Sequence, residues 1–175
     1  MNIVIGDYLQ ELTFDAQLEL TFHPEEFPVH WRRAALTADF AASWFGDAGD
    51  GVADAVSYAL NELVENAIKF GTAGRVEVVV GIAGDELVMR VSNQLPRVDV
   101  PALRALLEEM ISEDPWELIV KRVEANAEDP ESNRSGLGFL TLLTDYDARL
   151  GWRVVDATET HACLHTLVRL KTSEG

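Results

Sequence analysis

Glu62 and Asn66 stand four residues apart in the stretch Ala59-Leu60-Asn61-Glu62-Leu63-Val64-Glu65-Asn66-Ala67-Ile68-Lys69-Phe70-Gly71. A helix turns about 100° per residue, so the two stack on one face and Lys69 continues the row. A carboxylate in that place can accept a proton from an attacking hydroxyl or water. A carboxamide oxygen is a hard donor suited to Mg²⁺, which keeps most of its waters and bridges phosphates. An ammonium group can neutralise phosphate charge. Val52, Val56, Ala59, Leu60, Leu63 and Ala67 centre the apolar side of the same helix. Asn66 falls in the angular gap between Ala55 and Ala59, whose small side chains leave room for a ligand. A solvated helix edge has the same spacing, so the row alone leaves both readings open.

A second constellation follows at Ser135-Gly136-Leu137-Gly138, ahead of the apolar helix carrying Phe139, Leu140, Leu142, Leu143 and Tyr146. A helix start exposes unpaired amides and the positive end of the dipole, and glycines let a phosphate approach the backbone. Ser135 is placed to cap that helix. A plain loop-to-helix joint has the same composition. The polar run Glu128-Asp129-Pro130-Glu131-Ser132-Asn133-Arg134 before it reads as a mobile loop able to close over a nucleotide.

The elements that must position these groups are legible in outline. Gln17 to His23 reads as a strand, then Val29 to Phe45 as a helix bearing Trp31, Ala35, Phe40 and Trp44. The turn Asp47-Ala48-Gly49-Asp50-Gly51 leads into the helix Val52 to Phe70. Arg75 to Ile82 and Glu86 to Ser92 form a hairpin around Ala83-Gly84-Asp85. Two Glu-rich helices, Ala102 to Ile111 and Trp116 to Ala125, precede the polar run. A helix from Leu137 to about Ala148 and two closing strands, Trp152 to Ala157 and Ala162 to Leu170, complete the order. That order predicts an α+β domain, an antiparallel or mixed sheet with helices on one face. Trp31, Trp44 and Trp116 are expected in the core, although a protein interface would use the same residue types.

Composition narrows the partners. The 175 residues predict one domain with a sizeable core. The formal net charge is −16, from 14 basic and 30 acidic side chains. Such a surface repels nucleic acid and anionic membranes, leaving small ligands and proteins. A bound nucleotide would then need backbone amides and a divalent cation to offset the field. No apolar run is long enough to span a bilayer, and Met1 to Asp7 lacks the pattern of a secretory signal. Cys163, the single cysteine, lies in a strand-like run; a packed thiol in a reducing, cytoplasmic setting is expected.

Together the two constellations resemble the GHKL ATPase superfamily, which includes gyrase, Hsp90, histidine kinases and MutL. Glu62-Leu63-Val64-Glu65-Asn66-Ala67 is similar to its N-box, and Ser135-Gly136-Leu137-Gly138-Phe139 to its second glycine box. The helical insertion at about 97–135 stands where the family carries its ATP lid. The short single-domain format most resembles bacterial anti-sigma-factor and switch-protein serine kinases, especially the SiaB-type branch. The resemblance implies one Bergerat-fold domain over 1–175, a two-layer α/β sandwich with a mixed, mostly antiparallel sheet. It implies ATP and Mg²⁺ as cofactors, Glu62 as general base and Asn66 as metal ligand. Lys69, Ser135, Gly136, Leu137 and Gly138 would face the phosphates. Thr166, on the last strand, matches the threonine that helps hold the adenine-binding acid, and Asn93 stands at that acid's own position. There the chain departs from the family: the Asp-x-Gly-x-Gly box is replaced by Val91-Ser92-Asn93-Gln94-Leu95-Pro96. A neutral Asn accepts more weakly than a carboxylate. The implied function is a serine/threonine kinase acting on a STAS-domain antagonist in a partner-switching circuit. The alternative is a non-catalytic binding module of the same fold that sequesters a sigma factor or antagonist. Many relatives dimerise, and the resemblance allows a homodimer.

Overall fold

The computed structural model describes residues 1–24, 30–49, 51–72, 74–128 and 136–172. Their order is β1 (Asn2–Gly6), β2 (Ala16–Phe22), α1 (His30–Phe45), α2 (Val52–Phe70), β3 (Val76–Ala83), β4 (Glu86–Pro96), α3 (Val100–Ser112), α4 (Pro115–Glu128), α5 (Leu137–Asp145), β5 (Arg149–Asp156) and β6 (His161–Lys171). The strands form one sheet in the order β1-β5-β6-β4-β3-β2. Every ladder in it is antiparallel. The α+β expectation and the two-layer arrangement hold, with α1, α2 and α5 packed on one sheet face.

The period of α2 explains its placement. Val56, Ala59, Leu60, Leu63, Val64 and Ala67 are all buried, and they meet Val78, Val80, Met89, Val91 and Val168 from the sheet. Each buried Leu or Val of this kind contributes roughly 1.5–3 kcal/mol of gross hydrophobic stabilisation. The helix ends where Gly71 turns extended, its amide donating to the Ala67 carbonyl at 3.1 Å.

The N-terminal residues, given no element by the sequence reading, form edge strand β1, with Ile3 and Ile5 turned toward the helices and Val4 outward. Strand β2 lies at the opposite edge, so residues 7–15 must cross the sheet. They cross the face away from the helices. A Cβ at Gly151 would overlap the backbone of Asp7 and Tyr8, and one at Gly81 would lie 2.5 Å from the Phe14 ring. This strap covers Val88 and Leu167, both buried on that face. Arg169 ties it down, pairing with Asp7 at 2.5 Å and Glu86 at 2.8 Å.

Helix α1 reverses one expectation. Ala34, Ala38, Ala41 and Ala42 face inward together with Phe45, and the small alanines let α1 lie close against α2. The bulky Leu36, Phe40 and Trp44 are turned out along one line, with Trp44 61% exposed. Trp116 on α4 is also 61% exposed. Neither tryptophan is a core residue; the side chain of Trp31 lies outside the described residues. Cys163 is half-buried on β6, where burial and then Glu77 push its thiol upward. That matches the expected packed, unreactive cysteine.

Candidate functional site

Helices α2 and α5 bring the two constellations into contact. Gly138 sits against Glu62 so closely that a Cβ there would overlap its carboxylate. The loop-to-helix joint and the carboxylate are therefore neighbours in space. Burial, and then the neighbouring Glu65, push the Glu62 carboxyl above the ordinary carboxylate range. A carboxyl raised in this way is a better proton acceptor than an ordinary exposed one. Gly138→Ala should force the carboxylate to move, lowering stability by about 1–3 kcal/mol in a denaturant melt.

Gly136 is the N-cap residue of α5. Its φ of +50° lies in the left-handed region, which glycine enters without the Cβ penalty. Ser135 and the polar run before it lie outside the described residues. Leu137, half-buried, packs against the core at the first helical position. Helix α5 stops at Asp145, short of the predicted Ala148, because the chain reverses at Asp147 with φ of +48°.

Asn66 is half-buried on the same row of α2 as Glu62, one turn toward the C-terminus. Among the described residues no three His, Cys, Asp or Glu side chains converge to hold a metal. A carboxamide plus ligand phosphates suits Mg²⁺, which seldom relies on an all-protein cage. Lys69 continues the row but is exposed, its ammonium 5.1 Å from the centre of the Phe70 ring.

Asn93 and Thr166 are brought together on the helix-covered face of the sheet. Asn93 pairs with Leu164 and Val91 with Thr166, so the two polar residues are diagonal neighbours. They are 5% and 6% exposed, respectively. Asn93 donates Nδ2 to the Gln94 carbonyl at 3.3 Å, leaving Oδ1 to accept. The strand carrying Asn93 runs on to Pro96 instead of stopping at Ser92. Its last residues are held by β6 down to the Pro96–His161 pair.

Two residues went unnoticed in the sequence. Thr72 follows α2 and its amide donates to the Gln94 carbonyl at 2.9 Å, beside Asn93. Its buried Oγ1 has no hydrogen-bond partner among the described residues, a group a polar ligand atom would satisfy. Arg122 on α4 is 9% exposed, and a Cβ at Gly136 would overlap its Nη1. Neither belongs to a local motif. A buried Arg or a buried Thr hydroxyl of this kind shows only once the fold is known.

A groove of about 420 Å³ runs between α1 and α2, lined by Asp39, Asp54, Ser57, Tyr58, Asn61 and Glu62. Glu62 is thus reached from this groove as well as packed on Gly138. Its lining holds three carboxylates and, among the described residues, no basic side chain.

No family model and no curated protein sequence matches the chain. Among solved structures it is similar to a chain of the SiaB-SiaC complex from Pseudomonas aeruginosa, at 16% identity and a TM-score of 0.62. The match covers 86% of this chain and 89% of that one, so the two share a fold over nearly their whole length. No helix among the described residues is long and apolar enough to cross a membrane.

Proposed function

We propose that this chain is an ATP- and Mg²⁺-dependent serine/threonine protein kinase of a partner-switching circuit, acting on a STAS-domain protein. The observation that carries the reading is the packing of Gly138 on Glu62, which sets a raised carboxyl against the helix start suited to phosphate. The amides at the head of α5 would bind phosphate oxygens, with Gly136 and Gly138 permitting the approach. Asn66 would hold the metal, while Asn93, Thr166 and the Thr72 hydroxyl would receive the base. When bound, ATP supplies the phosphoryl group. Glu62 takes the proton of the acceptor hydroxyl as its oxygen bonds to the γ-phosphorus and the bond to ADP breaks.

A protein acceptor fits two further features. The groove between α1 and α2 gives a hydroxyl a path to Glu62. Leu36, Phe40 and Trp44 form an exposed apolar line on α1, the kind of surface that marks protein contact. The neighbour of the same fold was solved as a complex of two proteins.

A second reading rests on one specific observation. With Asn93 in place of the acid and both base-side residues buried, the fold could serve as a binding module without turnover. Incubation with labelled ATP, Mg²⁺ and a STAS-domain protein from the same genome separates the two. Kinase action puts label on a serine or threonine of that protein. A stable complex with no transferred label selects the binding module.

A further inference from the structure

We propose that the open half of the sheet face turned away from the helices binds an extended, acidic segment of a partner protein through Arg90, Arg153 and His165. Side chains alternate along each strand, so Arg90 and Ser92 of β4 share the face of Val88, and Cys163 and His165 of β6 share that of Leu167. Across the sheet, Arg153, His165, Ser92 and Glu77 stand in one row. Arg90 lies diagonal to His165, one step toward the strap of residues 7–15. Ser92 Oγ and His165 Nδ1 are hydrogen-bonded at 2.7 Å, which orients the ring and leaves Nε2 for a further partner.

The strap over the other half shows what this face accepts. Its residues cross the strands without joining the sheet, and the Asp7 carboxylate is taken by Arg169, which also holds Glu86. Arg149 meets Glu86 as well, at 3.5 Å. The cations of the open half have no such carboxylate. Arg153 Nε donates to the neutral Asn2 Oδ1 at 3.0 Å. The Arg90 side chain has no ion pair or hydrogen bond among the described residues. Glu77, the acid in the row, is taken by Arg75 at 2.5 Å. Burial, then Arg90 and Arg153, hold the His165 imidazole below its ordinary range, against the opposing pull of Glu77. The local field is thus positive in a chain of net charge −16. Salt screens exposed charges beyond about 8 Å, so an arriving carboxylate meets these arginines and little of the distant acidic surface. Strands lie about 4.8 Å apart and alternate residues about 7 Å along each, which sets the Arg90 and Arg153 backbones roughly 12 Å apart. Carboxylates about three or four positions apart in an extended chain cover that span.

Fluorescence anisotropy tests the docking face, with the full chain titrated into a labelled peptide of about twelve residues alternating Glu and Thr. The same peptide with Gln for Glu should bind at least about tenfold more weakly. Arg90→Gln and Arg153→Gln should each weaken the Glu peptide by about three- to tenfold, while Arg104→Gln on α3 leaves it unchanged. Should either variant fail to fold, the wild type decides by NMR: the Glu peptide should shift the His165 ring signals and leave the Trp116 indole signal in place. No binding, equal binding of the two peptides, an equal loss in Arg104→Gln, or unmoved His165 signals overturns the assignment. An oligothymidylate of the same length that binds as tightly overturns it too, because the face would then be an unselective anion patch. Sedimentation covers the remaining occupant: a wild-type dimer that Arg90→Gln dissociates places a second copy there and excludes the acidic segment. All binding is read without nucleotide, so a negative result leaves the kinase reading untouched.

Discussion

Glu62→Gln is expected to keep MgATP affinity within about twofold while slowing phosphate transfer to the STAS-domain partner by about 10²–10⁴-fold. Glutamine preserves the volume against Gly138 and the hydrogen-bonding capacity, so only proton acceptance is lost. Single-turnover transfer of label measures the step directly, and calorimetry gives the affinity. Because burial and Glu65 raise the Glu62 carboxyl, the wild-type rate should fall on acidification earlier than an ordinary carboxylate would dictate. Glu62→Gln should flatten that limb of the profile.

The same shift has a stability consequence with the opposite sign to a paired carboxylate. The folded state prefers protonated Glu62, so its stabilising contribution is present below the ordinary carboxylate range. It is lost as pH rises through the raised folded value. At neutral pH the ionised group is a net cost, which a permanently neutral glutamine removes. Glu62→Gln should therefore melt higher than wild type at pH 7, and the difference should vanish in acid. A variant that melts lower at pH 7 and still transfers phosphate would assign Glu62 a packing role.

How much of this site could be read in the sequence depends on which signals are local. Helix α2 is 19 residues long with an unbroken apolar period, and both its bounds matched the structure. The hairpin strands β3 and β4 and the closing pair β5 and β6 were legible for the same reason: alternation bounded by turn residues. β1 was not, because five residues at a sheet edge, with two inward side chains, carry too short a pattern. The extension of β4 through Pro96 depends on pairing with β6, a tertiary fact that outweighs local propensity at Gln94 and Pro96. On α1, size misled the reading. Bulky residues were expected inside, yet the alanine face allows the closer approach to α2 and leaves Leu36, Phe40 and Trp44 outside.

The site shows the same division. Glu62, Asn66, Gly136 and Gly138 could be found because each constellation is contiguous. Their contact, across 76 positions from Glu62 to Gly138, needed the fold. The diagonal pairing of Asn93 with Thr166 follows from strand register, which sequence alone leaves free. Arg122 is an unremarkable member of a charged helix until α3 and α4 fold over the head of α5.

Asn66→Ala is expected to weaken Mg²⁺-dependent ATP binding by about 10–100-fold, a loss typical of disturbing a metal site. Stability should change by no more than about 0.5 kcal/mol, since the side chain is only half-buried and the helix favours alanine. The decisive comparison is between calorimetric titrations with Mg²⁺ and with EDTA. If Asn66 holds the cation that bridges the phosphates, wild type and variant converge once the metal is removed, because the lost interaction exists only with metal present. If instead Asn66 packs against the ligand or the sheet, the variant stays weaker by the same factor in EDTA. An affinity unchanged in both conditions would detach Asn66 from the site. The groove at Glu62 would then be the feature left to explain, with its acidic lining pointing to a protein surface in place of a nucleotide.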